Sequence, residues 1–280
     1  MLPETSVIEL RHGPSGVLHI SLAREHLYNA VNSVMLAELI AVFTALQSME
    51  EIRVVVLRGK GGHFSAGGDL SEFLTAVDAG DDDSDRRMVE VIRDSGRLLT
   101  LIDRTPRIVI AVLEGTVLGT GLGIACVSDV VIVHSDAELS LPEVMIGFPP
   151  SQIAPFLLRR IGPSGTRMLA LTGYRFDGRE AHRLGLAHMM TEDRPLLEQM
   201  LLDAVQQALL CGPGAVKATK KLLHDLGPPD IEQYLDAAAE TFVRDMRKGE
   251  GVEGLNAFVS KRVPSWRVCD EAQVEGRHNG

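Results

Sequence analysis

Gly115-Thr116-Val117-Leu118-Gly119-Thr120-Gly121-Leu122-Gly123 follows the apolar run Ile108-Val109-Ile110-Ala111-Val112 and leads into Ile124-Ala125-Cys126-Val127. The first run reads as a buried strand and the second as the opening of a buried helix, with the glycines turning the chain between them. A glycine-rich entry to a helix leaves backbone N–H groups unpaired, with the helix dipole behind them. It can hold an anion, or an oxygen that becomes anionic during a reaction. It can equally be a tight, closely packed turn that needs no ligand.

A second glycine-bearing stretch, His63-Phe64-Ser65-Ala66-Gly67-Gly68-Asp69-Leu70, follows the strand-like run Val54-Val55-Val56-Leu57-Arg58-Gly59. A third, Ser140-Leu141-Pro142-Glu143-Val144-Met145-Ile146-Gly147, lies downstream. Asn29-Ala30-Val31-Asn32 precedes them and Lys261-Arg262-Val263-Pro264-Ser265-Trp266 closes the series. In this order the chain resembles the enoyl-CoA hydratase/isomerase (crotonase) family. That family's pattern is N-A-x-N, F-x-A-G-x-D-L, G-x-x-x-G-x-G, P-E-x-x-x-G and K-R-x-P-x-W. Each motif is weak alone; the ordered set, spanning residues 6–267, is specific. The resemblance implies an α/β fold, a crotonase-like spiral of ββα units with a C-terminal helical oligomerisation region. The division is set at 1–205 for the spiral core and 206–280 for the helical region.

Composition narrows the function classes. The chain has 280 residues, 45% of them hydrophobic, enough for a sizeable core. A formal charge of −10 argues against a general nucleic-acid binder. It leaves room for a phosphate held by a few local cations. Cys126, Cys211 and Cys269 are widely spaced and form no CxxC pair, so neither a disulfide framework nor a zinc site is expected. The opening Met1-Leu2-Pro3-Glu4-Thr5-Ser6 lacks a basic flank and an apolar run, which predicts no membrane association and a cytoplasmic protein.

The remaining elements follow from periodicity. Val7–Leu10 and Val17–Leu22 read as strands around a Gly-Pro-Ser-Gly turn, and Asn32 or Ser33 can cap a helix carrying Met35, Leu36, Leu39, Val42 and Phe43. The acidic run Asp78–Asp85 reads as a solvated loop, either a linker or a flap over a pocket. Residues 85–103 read as a helix and 130–133 as a strand. Beyond Pro149-Pro150 the chain is helical: 153–161, 163–171, 180–184, 196–210, 214–223, 231–248 and 252–262.

The resemblance also implies the chemistry. The substrate would be an acyl-CoA thioester, with coenzyme A as part of the substrate and no separate cofactor. Two backbone N–H donors, those of Ala66 and Thr120, would stabilise charge on the thioester oxygen. Glu143 would carry the proton, its pKa raised if the carboxyl is buried; otherwise Pro142-Glu143 is an ordinary helix opening. Gly67, Gly68 and Asp69 would line the CoA site, the glycines letting the backbone approach the thioester. Arg24 would meet CoA phosphates, or simply be solvated. Phe258 and Lys261 match tail positions that reach the nucleotide from a neighbouring subunit in a trimer or a dimer of trimers; Phe258 can equally be a core contact of the last helix. His63 reads as a CoA contact or a solvated loop residue.

Two departures bear on the reaction. Hydration or dehydration of an enoyl-CoA, branched in the leading expectation, is the reaction implied. Because the two-carboxylate hydratases carry a second Glu where this chain has Gly123, concerted hydration by a Glu pair is not expected, and an enoyl-CoA isomerase shuttling one proton is the alternative. The G-x-G-L segment is most similar to bacterial hydratases of branched glutaconyl-type CoA esters. Where many members have P-G-x-G-G this chain has Pro150-Ser151-Gln152-Ile153-Ala154. Gln152 could hold water or a substrate carboxylate, or be an ordinary helix-entry residue. A hydroxyisobutyryl-CoA hydrolase, with Asp in place of Ser151, fits less well. From a different class, a non-catalytic CoA- or RNA-binding homologue would keep the scaffold without turnover.

Overall fold

The computed structural model describes residues 1–79, 82–225, 231–248 and 250–264. In chain order the elements are β1 (Ile8–His12), β2 (Val17–Leu22), α1 (Ser33–Ala45), β3 (Val54–Gly59), α2 (Leu70–Ala79), α3 (Asp82–Arg104), β4 (Ile108–Leu113), β5 (Thr116–Leu118), α4 (Thr120–Val127), β6 (Val130–His134) and β7 (Glu138–Ser140). Then follow α5 (Ala154–Thr172), α6 (Gly178–Arg183), β8 (Met189–Thr191), α7 (Arg194–Leu210), α8 (Pro213–Asp225), α9 (Ile231–Lys248) and α10 (Glu250–Val259).

The large sheet has six strands in the order β1-β2-β3-β4-β6-β8, antiparallel only between β1 and β2. A parallel sheet buried on both faces needs apolar residues at every position. β3 shows it: Val55 and Leu57 point into the core shared with α1, α3, α4 and α5, while Val54 and Val56 point the other way, toward Leu197 and Leu201 of α7. β5 and β7 form a second, two-stranded sheet, which Ser65 extends by a bridge to Val117. Each turn of the chain therefore lays one strand in the large sheet, a short piece in the small one, and then a helix. This is the ββα spiral the sequence implied.

Local chemistry sets the element ends. Asn32 Oδ1 accepts from the Met35 N–H at 3.0 Å and caps α1. Gly162, at φ 74°, breaks α5 just before Pro163, so the two short helices expected there are one kinked element. The acidic run is less of a loop than its charge suggests. Helix reaches Ala79 and resumes at Asp82; Gly80 and Asp81 lie outside the described residues. β5, β7 and β8, three residues each, are too short for periodicity to reveal.

The helical tail folds back over its own chain. Ala239, Phe242, Val243 and Met246 of α9 and Leu255 of α10 pack with Met88 and Ile92 of α3 and with Phe148. Residue 205 lies within α7. Ser265, Trp266 and Cys269 lie outside the described residues.

Candidate active site

The small sheet brings the glycine motifs together. Ser65 N–H donates to the Thr116 carbonyl and Leu118 N–H to the Ser65 carbonyl, both at 2.9 Å. This lays the first motif along β5. The other edge is held by the Asn29–Asn32 segment: Val31 N–H donates to Gly67 O at 2.7 Å and Asp69 N–H to Val31 O at 2.9 Å. Asn29 is fully buried and donates its side-chain amide to the Lys60 and His63 carbonyls. Its role is to fold the loop.

Gly67 and Gly119 then lie against each other. Gly119, at φ 47° and ψ −118°, precedes α4 in a conformation that L side chains rarely adopt. A Cβ there would stand 3.5 Å from Gly67 Cα and 2.9 Å from Glu143 Oε1. The three motifs therefore converge on one spot.

The Ala66 amide expected at the site is not free. The Ala66 N–H points to the Tyr28 carbonyl, 2.8 Å away, and so is committed to the loop. The Gly67 N–H faces Ser65 Oγ at 3.2 Å. The next amide, that of Gly68, makes no hydrogen bond among the described residues, because the Val31 strand engages Gly67 O and Asp69 N on either side of it. Thr120 opens α4, so its N–H has no partner within the helix. Gly68 and Thr120 both line a cavity of about 130 Å³. The sequence pointed to Ala66, but strand pairing decides which amide of the Ala-Gly-Gly run is left over, and here it is that of Gly68.

Glu143 sits on a 3-10 helix (Pro142–Ile146) whose second residue it is. The residue as a whole is partly exposed, yet its Oε2 is sealed from solvent and hydrogen-bonded to nothing. Burial pushes the carboxyl up from 4.5 to about 7, against a smaller downward pull from its own N–H. At Gly123 a second carboxylate would be crowded: a Cβ there would stand 3.0 Å from Leu99 Cδ1 and 3.3 Å from Ile153 Cγ1, so those side chains would have to shift.

The far end of the cavity is apolar, with Val91, Ile92, Phe148 and Phe242 among its walls. Phe242 comes from the helical tail, which no motif in the sequence places here. Among the described lining residues the charged groups are Asp69, Glu72 and Glu143, with no cation. Ser151 and Gln152, both buried, also line it.

The other predicted residues are placed as follows. Arg24 is not simply solvated: it pairs with Asp69 at 2.9 Å and donates to the Ala30 carbonyl at 2.6 Å. Burial raises the Asp69 carboxyl, but hydrogen bonds from Ser71 and the Arg24 guanidinium outweigh it and hold the group below its usual range. His63 is fixed rather than loose, its Nδ1 accepting from the Thr116 N–H at 3.1 Å and its ring packed at a 52° tilt against Tyr28 with centroids 4.3 Å apart. Phe258 and Lys261 are exposed at the end of α10, outside the cavity lining of this chain.

Comparison with known proteins points to one family. A sequence model of enoyl-CoA hydratases/isomerases matches residues 12–268. Pseudomonas aeruginosa AtuE, a solved structure, is 44% identical, with a TM-score of 0.76 over 93% of this chain and 99% of its own. An enoyl-CoA hydratase/isomerase from Marinobacter aquaeolei is 38% identical, with a TM-score of 0.75 over 93% and 98%. The Alternaria alternata protein named enoyl-CoA hydratase ACTT6 is 29% identical over 268 residues, covering 95% of this chain and 85% of that one.

Proposed function

The chain belongs to the enoyl-CoA hydratase/isomerase family, and on that premise we propose that it adds water to, or removes it from, an enoyl-CoA thioester using one carboxylate. The thioester oxygen lies between the N–H groups of Gly68 and Thr120. Glu143, as carboxylate, takes a proton from water while the water oxygen bonds to the β-carbon. The double-bond electrons move onto the thioester oxygen, where the two amides hold the enolate. Glu143 then returns its proton to the α-carbon. Dehydration is the reverse.

One observation carries this reading: two unpartnered amides and one sealed carboxylate surround the same glycine pair. A carboxyl titrating near 7 is matched to both accepting and returning a proton at neutral pH. The test is Glu143→Gln with a panel of enoyl-CoA esters, products weighed by mass spectrometry. Gain of one water by the wild type and its loss in the variant support the reading. Unchanged turnover in the variant removes Glu143 from the mechanism.

Gly123 favours a second reading, an enoyl-CoA isomerase shuttling one proton. It predicts a moved double bond and no hydroxyacyl product. Tight retention of CoA with no turnover of any ester would instead fit a non-catalytic binder. We read the substrate as branched, of glutaconyl type. The apolar walls receive the branch, and a distal carboxylate meets the Ser151 hydroxyl, which has no other partner. Arg24 and Asp69 then hold the mouth of the CoA site as a pair, and no metal or further cofactor enters the scheme. Exposed apolar groups on the helical tail, Leu222, Leu223, Phe258 and Val259 among them, suit a homotrimer or dimer of trimers in which Phe258 and Lys261 reach a neighbour's nucleotide. No helix among the described residues is long and apolar enough to cross a membrane, and we assign the protein to the cytoplasm.

A further inference from the structure

A second concave region lies at the opposite end of the large sheet from the glycine motifs. Asp129 marks it: its Oδ2 accepts from the Val109 N–H at 2.8 Å, where β4 begins, whereas Gly119 and Thr120 follow that strand's far end. Two grooves adjoin there, of about 430 Å³ and about 460 Å³, with Lys220 and His224 in the walls of both. Neither shares a lining residue with the catalytic cavity. The first is walled by Arg159 and Arg160 of α5, the second by Arg104 at the end of α3 and by Lys217 and Lys221 of α8. Among the described lining residues, six Lys and Arg stand against two carboxylates, on a chain whose formal charge is −10.

Those two carboxylates are already engaged. Asp129 pairs with Lys220 at 2.6 Å and Asp103 with Arg159 at 2.5 Å. Arg160 is partly buried and meets no carboxylate: Nε and Nη2 donate to the Leu186 carbonyl and Nη1 to that of Ser128. Burial pushes its pKa down, as for a cation short of a counter-charge. Arg104 and Lys217 are exposed, with no hydrogen bond or ion pair among the described residues. Lys217, Lys220, Lys221 and His224 stand at i, i+3, i+4 and i+7 of α8, along one face of the helix. Like charges four apart, as Lys217 and Lys221 are, oppose a helix. A bound anion relieves that repulsion.

We propose that the two grooves form one site for an organic polyphosphate with the size and charge of a nucleoside triphosphate. Volumes of this order are those of small-ligand sites. A lining of ionisable groups selects an anion over an apolar molecule. Phosphoryl oxygens accept charge-assisted hydrogen bonds from guanidinium and ammonium donors. A ligand with several phosphoryl groups engages the α5 arginines and the α8 lysines together, since Lys220 belongs to both grooves. The site stands whatever reaction the Glu143 cavity performs.

Calorimetric titration of the whole chain with ATP at low ionic strength tests it. ATP should bind the wild type, and added salt should weaken it steeply, because exposed cations are screened. The double variant Arg104→Gln/Lys217→Gln removes two exposed cations. It should weaken ATP about tenfold per cation, with the circular dichroism spectrum unchanged. Lys261→Gln, at the tail position assigned above to the CoA nucleotide, should leave ATP binding intact. A wild type that ignores ATP, or a double variant that binds it as well as the wild type, overturns the assignment. So does ATP binding lost with Lys261→Gln alone, which would put the anion at the substrate's nucleotide locus instead.

Discussion

Replacing Glu143 with Gln should abolish hydration and stabilise the protein above neutral pH. The two effects have one cause. The carboxyl is held at about 7 in the folded chain, against 4.5 for an ordinary glutamate, because burial disfavours its charged form. Between those values the unfolded chain has released the proton and the folded chain keeps it. Stability contributed by this group is therefore fully present below about 4.5, falls as pH rises toward about 7, and is level beyond. A gap of roughly 2.5 units at about 1.36 kcal/mol each amounts to about 3 kcal/mol. The amide cannot ionise, so the variant should escape that loss. Urea denaturation of both proteins at pH 5 and pH 8 reads it: the wild type should lose about 3 kcal/mol relative to the variant across that interval, less the part already lost by pH 5. Taking the difference between the two proteins cancels every other titrating group. Parallel stability curves would refute the claim that Glu143 is strained by burial, and a variant that still hydrates would refute its role. In the wild type, hydration kcat/KM should rise with pH to a plateau above about 7, since the reaction starts from the carboxylate.

Thr120→Pro removes one N–H at the first helical position, where proline is tolerated. It should cost about 3–4 kcal/mol of transition-state stabilisation, a hundredfold or more in kcat, with the circular dichroism spectrum unchanged. Gly123→Glu should not create a two-carboxylate hydratase. The new side chain meets Leu99 and Ile153, and overpacking should lower stability by about 1–3 kcal/mol in a denaturant titration. Phe242→Ala enlarges the apolar end of the cavity. It should shift kcat/KM toward bulkier acyl chains while destabilising the fold by about 3–5 kcal/mol.

The strands of the large sheet were legible because a sheet buried on both faces forces unbroken runs such as Val54–Leu57, and a helix packed on it forces the Met35-Leu39-Val42 stripe. The glycine motifs and Glu143 were legible as chemistry because few residue types can make a tight approach or move a proton. The short strands β5, β7 and β8 were not, since three residues carry no period. Arg24 gave no sign that Asp69 would engage it, because that pairing spans loops far apart in the chain.

The sequence by itself determined the spiral, the family and the presence of a carboxylate beside two glycine turns; these depend on residue type and order. Tertiary structure alone decided which amides are left over. An N–H is free only when no neighbouring segment accepts from it, so Tyr28 removes Ala66 and the Val31 pairing leaves Gly68. It also decided that Leu235 on a distant helix would fix Gln152, and that Leu99 and Ile153 would crowd the space around Gly123. Those facts depend on what each atom finds across the fold, which no local run of residues encodes.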